Sequence, residues 1–205
     1  FDSAAARALD AQASALAADG GWGLMAQAGQ AAWQCLLQHW PQARRIGVVV
    51  GAGNNGGDGH VLARHALQAG CEVTVIALPG RPPSTALAQR AALEFRSAGG
   101  ASADFDGALP GADIWVDALF GLGFDRAPEG TAQALIAALN AQTAPVLALD
   151  VPSGVDADRG AVPGEAVRAT LTLQFIVAHR GLYSGDALDH CGQKVLAPLQ
   201  LPATA

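Results

Sequence analysis

Residues 46–70 read IGVVVGAGNNGGDGHVLARHALQAG. A short apolar run meets five glycines, two adjacent asparagines and an aspartate, and then apolar residues recur at helical spacing. Strand, glycine loop and helix in that order are the opening unit of a doubly wound α/β sheet. The glycines permit close backbone approach and positive φ, and a helix beginning after them presents N–H groups and a positive dipole end to an anion. Residues 51–56 also satisfy GxGxxG as written, the weak sign of a dinucleotide loop. Glycine use alone leaves Asn54, Asn55 and Asp58 unexplained. Asparagine tolerates left-handed turns, and Asp58 stands where it could cap a helix spanning His60 to Ala69.

Outward from this unit the same alternation continues. Strand signals fall at Ile46 to Val50, Glu72 to Leu78, Ile114 to Asp117, Val146 to Asp150 and Thr170 to Ile176, with a last one near Lys194 to Ala197. Helical stretches at His60 to Ala69, Ala86 to Ala98 and Gly130 to Ala141 lie between them. Two further helices, Asp2 to Ala18 and Leu24 to Trp40, precede every strand and flank the break Gly20-Gly21-Trp22-Gly23. Apolar strands alternating with helices predict a mostly parallel sheet covered on both faces. The 205 residues, 51% of them apolar, suffice for one core and are read as one domain, 1–205.

Composition excludes several partners. The formal charge is −6, and eleven arginines and the single Lys194 are scattered, so nucleic acid is not an expected ligand. No run nears the roughly 20 apolar residues that a membrane helix requires, and the N-terminus lacks the order of a secretory signal, so no membrane contact and a cytoplasmic place are expected. Cys35, Cys71 and Cys191 lie far apart and outside any zinc pattern, as buried thiols of a reducing compartment would. His39, His60, His65 and His190 are scattered and assigned to no metal, and the four tryptophans are read as core or interface residues. A chain that starts at Phe1 without methionine reads as a piece of something longer.

In a sheet of this kind the ligand sits beyond the carboxyl ends of the strands, where the strand order reverses. Three strand ends deliver carboxylates or amides with glycines: 51-GAGNNGGDG-59, 117-DALFGLGFDRA-127 and 150-DVPSGVD-156. A carboxylate at the edge of a buried sheet is costly unless a cation, a donor or a ligand meets it, which singles out Asp117 and Asp150. Ser153 follows Asp150 without a nearby histidine in sequence, which argues against a serine nucleophile. Oxygen donors from Asn, Asp and Ser suit a hard cation instead. Asp150 is the first candidate for proton transfer and Asp58 the second.

The order and spacing of GAGNNGGDG, DALFGLG and DVPSGVD resemble the NAD(P)H-hydrate epimerase family, whose domain often precedes a dehydratase domain in bacterial bifunctional enzymes. Arg7-Ala8-Leu9-Asp10, Leu24-Met25 with Ala28-Gly29, and Arg180-Gly181-Leu182 extend the likeness over nearly the whole chain. The resemblance implies a Rossmann-like three-layer αβα sandwich, usually a homodimer. It implies that hydrated NADH or NADPH (NADHX, NADPHX) binds through Asn54, Asn55, Gly56, Gly57 and Asp58, through Gly121, Leu122, Gly123, Phe124, Asp125, Arg126 and Ala127, and through Asp150. A potassium ion (K⁺) would fall on Asn55, Asp117 and Ser153. The activity implied is exchange of the two C6 epimers of the hydrated nicotinamide ring, as a stand-alone enzyme or as the first half of a polypeptide that carries, or cooperates with, an ADP- or ATP-dependent dehydratase.

Two positions depart from the family pattern. Ala26 stands where LMExAG usually places a carboxylate, and His179 stands where a lysine often precedes Pro-Gly-Leu. If either lost charge shaped the pocket, activity or ligand would change. Two rivals are set beside the epimerase. A dehydrogenase would want an acid, or an arginine for the phosphorylated cofactor, at the end of the second strand; Glu72 opens that strand and Arg81 lies past its end. A non-catalytic nucleotide- or protein-binding module on the same fold is the other, since some animal relatives also act by binding a lipoprotein component.

Overall fold

The computed structural model describes residues 1–17, 19–122 and 126–200. Two helices, α1 (Ser3–Leu16) and α2 (Trp22–His39), precede β1 (Arg45–Val50), α3 (Asn54–Gln68), β2 (Glu72–Ala77) and α4 (Ala86–Ser97). Then come β3 (Ser102–Asp104), β4 (Ile114–Ala118), α5 (Thr131–Asn140), β5 (Val146–Leu149), β6 (Leu171–Phe175), two 3-10 turns at Arg180–Tyr183 and Gly185–Asp189, and β7 (Gln193–Ala197). The strands form one seven-stranded sheet in the order β3-β2-β1-β4-β5-β6-β7, every neighbouring pair parallel.

Alternation along the strands divides the core into two layers. Ile46, Val48 and Val50 of β1 point to one face and join Leu36 of α2, Leu62 and Ala66 of α3 and Phe95 of α4. Val49 points to the other, with Ile76, Trp115 and the Leu135, Ile136 and Leu139 stripe of α5. This is the expected three-layer sandwich with its two leading helices. The three cysteines are buried and free, and burial pushes the Cys35 and Cys191 thiols up to about 11. Trp115 is fully buried. Among the described residues no helix is long and apolar enough to cross a membrane.

Three expectations change. The helix expected from His60 begins at Asn54, so residues 54–59 are its first turns and Asp58 lies inside it rather than capping it. Glycine costs a helix about 1 kcal/mol per residue, which is why local sequence reads this stretch as loop. Packing reverses that preference: a β-carbon at Gly56 would lie 2.0 Å from Gly51 O, and one at Gly59 would lie 2.6 Å from Ala118 Cβ. The helix rides so close to the sheet that only glycine fits. Next, α2 starts at Trp22, inside the expected break, because the Asp19 carboxylate accepts from the Gly21 and Gly23 N–H groups. Finally, β3 was not expected; it has three exposed residues at a sheet edge and no apolar run to announce it.

Candidate active site

The strand order turns between β1 and β4, since β1 leads by α3 to β2 on one side and β4 leads by α5 to β5 on the other. A cavity of about 1200 Å³ opens over that point, ample for a ligand of dinucleotide size. Asn54, Asn55 and Asp58 reach it from α3, Gly121, Leu122, Arg126 and Ala127 from the connection after β4, and Asp150 from the end of β5. Helices α1 and α2 roof it with Ala6, Arg7, Leu24 and Met25. The N-cap of α3 is Gly53, which offers no side-chain acceptor to the first-turn amides, so the positive end of α3 stands at the cavity wall, suited to an anion.

Beneath the floor lies a buried polar knot. Asp117 is 0% exposed. Its Oδ2 accepts from the Ser153 N–H at 2.8 Å, and its Oδ1 accepts from the Ser153 hydroxyl at 2.7 Å and the Leu119 N–H at 3.2 Å. Ser153 Oγ in turn accepts from the Phe120 N–H at 2.9 Å, and Asn55 Nδ2 donates to Phe120 O at 2.8 Å. Burial pushes the Asp117 carboxyl up to about 6 despite the donors from Ser153 and Leu119 that favour its charged form. Asn55 Oδ1 is buried without any hydrogen-bond partner. An unmatched amide oxygen on Asn55, which is tied through Phe120 to Ser153, together with a buried carboxylate and a hydroxyl oxygen is a donor set that fits a hard monovalent cation. Among the described residues, no cluster of three or more His, Cys, Asp or Glu suits a transition metal.

Asp150 has a φ of 66°, a left-handed conformation uncommon outside glycine. Its Oδ1 stands 2.9 Å from Nε2 of His179, a ring only 1% exposed that also lines the cavity. Its Oδ2 faces Gly121: a β-carbon there would lie 3.7 Å from that oxygen and 3.3 Å from Asn55 Cβ. Asp58 is half-buried at the cavity wall. Asn54 Oδ1 accepts from the hydroxyl of Thr85, the N-cap of α4, which ties the two helices beside the opening.

Gly56 and Gly57 do not line the cavity; they are buried under it, Gly57 with its β position 2.6 Å from Met25 Cε. Gly123, Phe124 and Asp125 lie outside the described residues. Of the two departures, Ala26 is absent from the cavity lining and His179 is part of it. Only the resemblance points to His179 in the sequence, because nothing local tells that the segment after β6 meets the end of β5. Arg7 and Arg81 also reach the cavity, as do Leu78 and Pro79. The residues following β2, Leu78-Pro79-Gly80-Arg81, contain no acid for a dehydrogenase ribose. His60 is buried with Nδ1 2.8 Å from Gly56 O, a packing role within α3.

Residues 22–181 match the family described as YjeF-related protein N-terminus. The bifunctional NAD(P)H-hydrate repair enzyme Nnr of Coxiella burnetii is 42% identical over 179 residues, 87% of this chain and 37% of that one. The NAD(P)H-hydrate epimerase of Limosilactobacillus fermentum is 39% identical over 177 residues, 85% of this chain and 84% of that one. The crystal structure of yeast YNL200c superposes with a TM-score of 0.74 at 22% identity, covering 95% of this chain and 86% of that one, a likeness of fold. The chain spans 31% to 38% of the length of the bifunctional relatives.

Proposed function

The chain belongs to the YjeF-related protein N-terminus family, and from that membership we propose that it interconverts the two C6 epimers of hydrated NADH and NADPH. The observation that carries the reading is Asp150, a carboxylate fixed at the end of β5 with one oxygen turned to a cavity of about 1200 Å³. Relatives named for NAD(P)H-hydrate epimerase or repair match over most of this chain.

The chemistry asks little beyond a positioned proton and a stabilised cation. Protonated Asp150 gives its proton to the C6 hydroxyl while the ring nitrogen lone pair expels it as water; the C6–O bond breaks and the ring becomes a flat iminium cation. Water then adds to either face as the Asp150 carboxylate takes back a proton, which restores the acid and exchanges the epimers. Asp58, another carboxylate of the cavity, offers negative charge to the cationic ring. The α3 N-terminus and the arginines of the rim, Arg7, Arg81 and Arg126, favour the pyrophosphate. Potassium, held by Asn55, Asp117 and Ser153, would supply positive charge that fixes these loop oxygens. In longer relatives of this kind a dehydratase acting on one epimer is the partner activity we propose.

Replacing Asp150 with Asn and following epimer exchange by NMR tests the reading. The rate is expected to fall on the order of 100-fold or more, with the unfolding midpoint little changed. A folded variant that exchanges epimers at the native rate removes Asp150 from the mechanism, and a native chain that binds NADHX without exchanging it makes the protein a binding module.

A further inference from the structure

The surroundings of Asp150 contain more than its own proton transfer requires. The His179 backbone N–H donates to Gln174 Oε1 at 2.8 Å, and Gln174, itself 0% exposed, donates from Nε2 to the Tyr183 hydroxyl at 3.0 Å. His179 O accepts from the Leu182 N–H at 3.2 Å, and the Asp150 N–H donates to Leu173 O at 2.7 Å. The backbones that carry the ring and the carboxylate are thus tied to the same strand, β6. A neutral imidazole carries one N–H. On Nε2, that proton meets Asp150 Oδ1; on Nδ1, which is buried with no partner, it would be an unsatisfied donor and would leave a bare nitrogen against the carboxylate. The Nε2–H form leaves only an unmatched acceptor at Nδ1, the less costly of the two arrangements when Asp150 is ionised.

We infer that His179 is a positioning residue: its Nε2–H holds Asp150 Oδ1, so that Oδ2, the oxygen that faces Gly121, exchanges the proton with the C6 hydroxyl. This rests on the reading of Asp150 as the acid and base of epimer exchange. The ring need not take up a proton itself. It fixes the torsion of a side chain whose backbone already sits in a left-handed conformation, and the ring that does so is only 1% exposed.

The test compares the native chain with His179→Leu, which fills the space without a donor, and His179→Gln, which keeps an amide donor for Oδ1. His179→Leu is expected to lower kcat on the order of 10- to 100-fold with KM and unfolding midpoint little moved, and His179→Gln to recover most of that loss. Equal losses in both variants, or none in either, overturn the inference. Ring-nitrogen NMR of the native chain gives a readout independent of turnover: the Nε2–H tautomer is expected, and Asp150→Ala is expected to disturb it. An Nδ1–H ring, or one indifferent to Asp150→Ala, also overturns it. Absence of epimer exchange in the native chain defeats the proposed function, and the pairing of His179 with Asp150 is then decided by the ring nitrogens alone.

Discussion

Asp117 shows how strongly burial alone acts on one side chain. Its carboxyl, 0% exposed, is raised to about 6 by desolvation, whereas the unfolded chain would lose that proton near 3.8. Between those values the folded state holds the proton and the unfolded state does not, so stability falls as pH rises through the interval. Without potassium the loss is about 3 kcal/mol at most, at ~1.4 kcal/mol for each pH unit. Urea unfolding of native chain and Asp117→Asn, in choline buffer from pH 4 to 7.5, should show a difference that changes by that order, because the amide does not titrate. Potassium chloride at pH 7.5 is expected to restore stability to the native chain and to leave Asp117→Asn unmoved; a native midpoint indifferent to potassium would remove the ion from this site. Asp117 and Asp150 were legible in the sequence because each ends a short apolar run, where a charge is out of keeping with its neighbours. The His179 contact was not, since it joins residues 29 apart through the pairing of β5 with β6.

Helix α3 and helix α1 carry the site at the scale of elements, by opposite means. The first turns of α3 are held by absence of side chains: Gly56 touches the β1 loop so closely that Gly56→Ala is expected to cost about 3 kcal/mol or more. Gly53, with nothing within 4 Å of its β position, is the control; Gly53→Ala is expected to stay within about 1 kcal/mol. Chemical denaturation of the two variants decides the matter, and equal costs would mean that α3 can lift off the sheet. Here propensity misled the sequence reading, for the glycines that argue against a helix are the ones that let it approach. By contrast α1 is held by polar ties. The Ser3 hydroxyl donates to Asp158 Oδ2 at 2.7 Å, Arg7 Nη1 donates to Leu122 O at 2.9 Å, and the Ser3 donors hold the Asp158 carboxyl below the usual carboxylate range. Since Ala6, Arg7 and Ser14 line the cavity, loosening α1 opens its roof. Asp158→Asn is expected to speed tryptic cleavage after Arg7 and to raise KM several-fold, roughly the effect of losing one charge-assisted bond, with kcat within about two-fold. Unchanged proteolysis and KM would show that α1 is anchored by its apolar face alone.

At the scale of the molecule the site is a product of strand order. Loops after β1, β4 and β5 converge because those strands are neighbours in the sheet although β2 and β3 separate β1 from β4 in the chain, and connections diverge at β1 and β4 to leave the crevice. That much was legible, since near-continuous apolar strands alternating with helices admit few parallel arrangements. What escaped was the course of the stretch from 151 to 170, which joins β5 to β6 without helix or strand and is set by contacts such as Ser153 with Asp117 rather than by periodicity. A site built from several connections couples ligand to the whole domain, because a ligand that fills the cavity touches α3, the connection after β4 and the end of β5 together. Ligand at 100 times its Kd stabilises the native state by about 2.7 kcal/mol, and for a chain of this size each kcal/mol moves the midpoint by about 2–4 °C. Saturating NADHX in potassium buffer is therefore expected to raise Tm by roughly 5–10 °C. Replacing potassium with choline at the same ligand concentration is expected to shrink that shift while kcat at saturation changes little, because an ion held by Asn55, Asp117 and Ser153, as proposed, would brace the loops and transfer no proton. A shift of equal size in both buffers, or a kcat that collapses while binding holds, would place the ion in the chemistry or nowhere, and differential scanning fluorimetry with epimer-exchange rates in the two salts separates those outcomes.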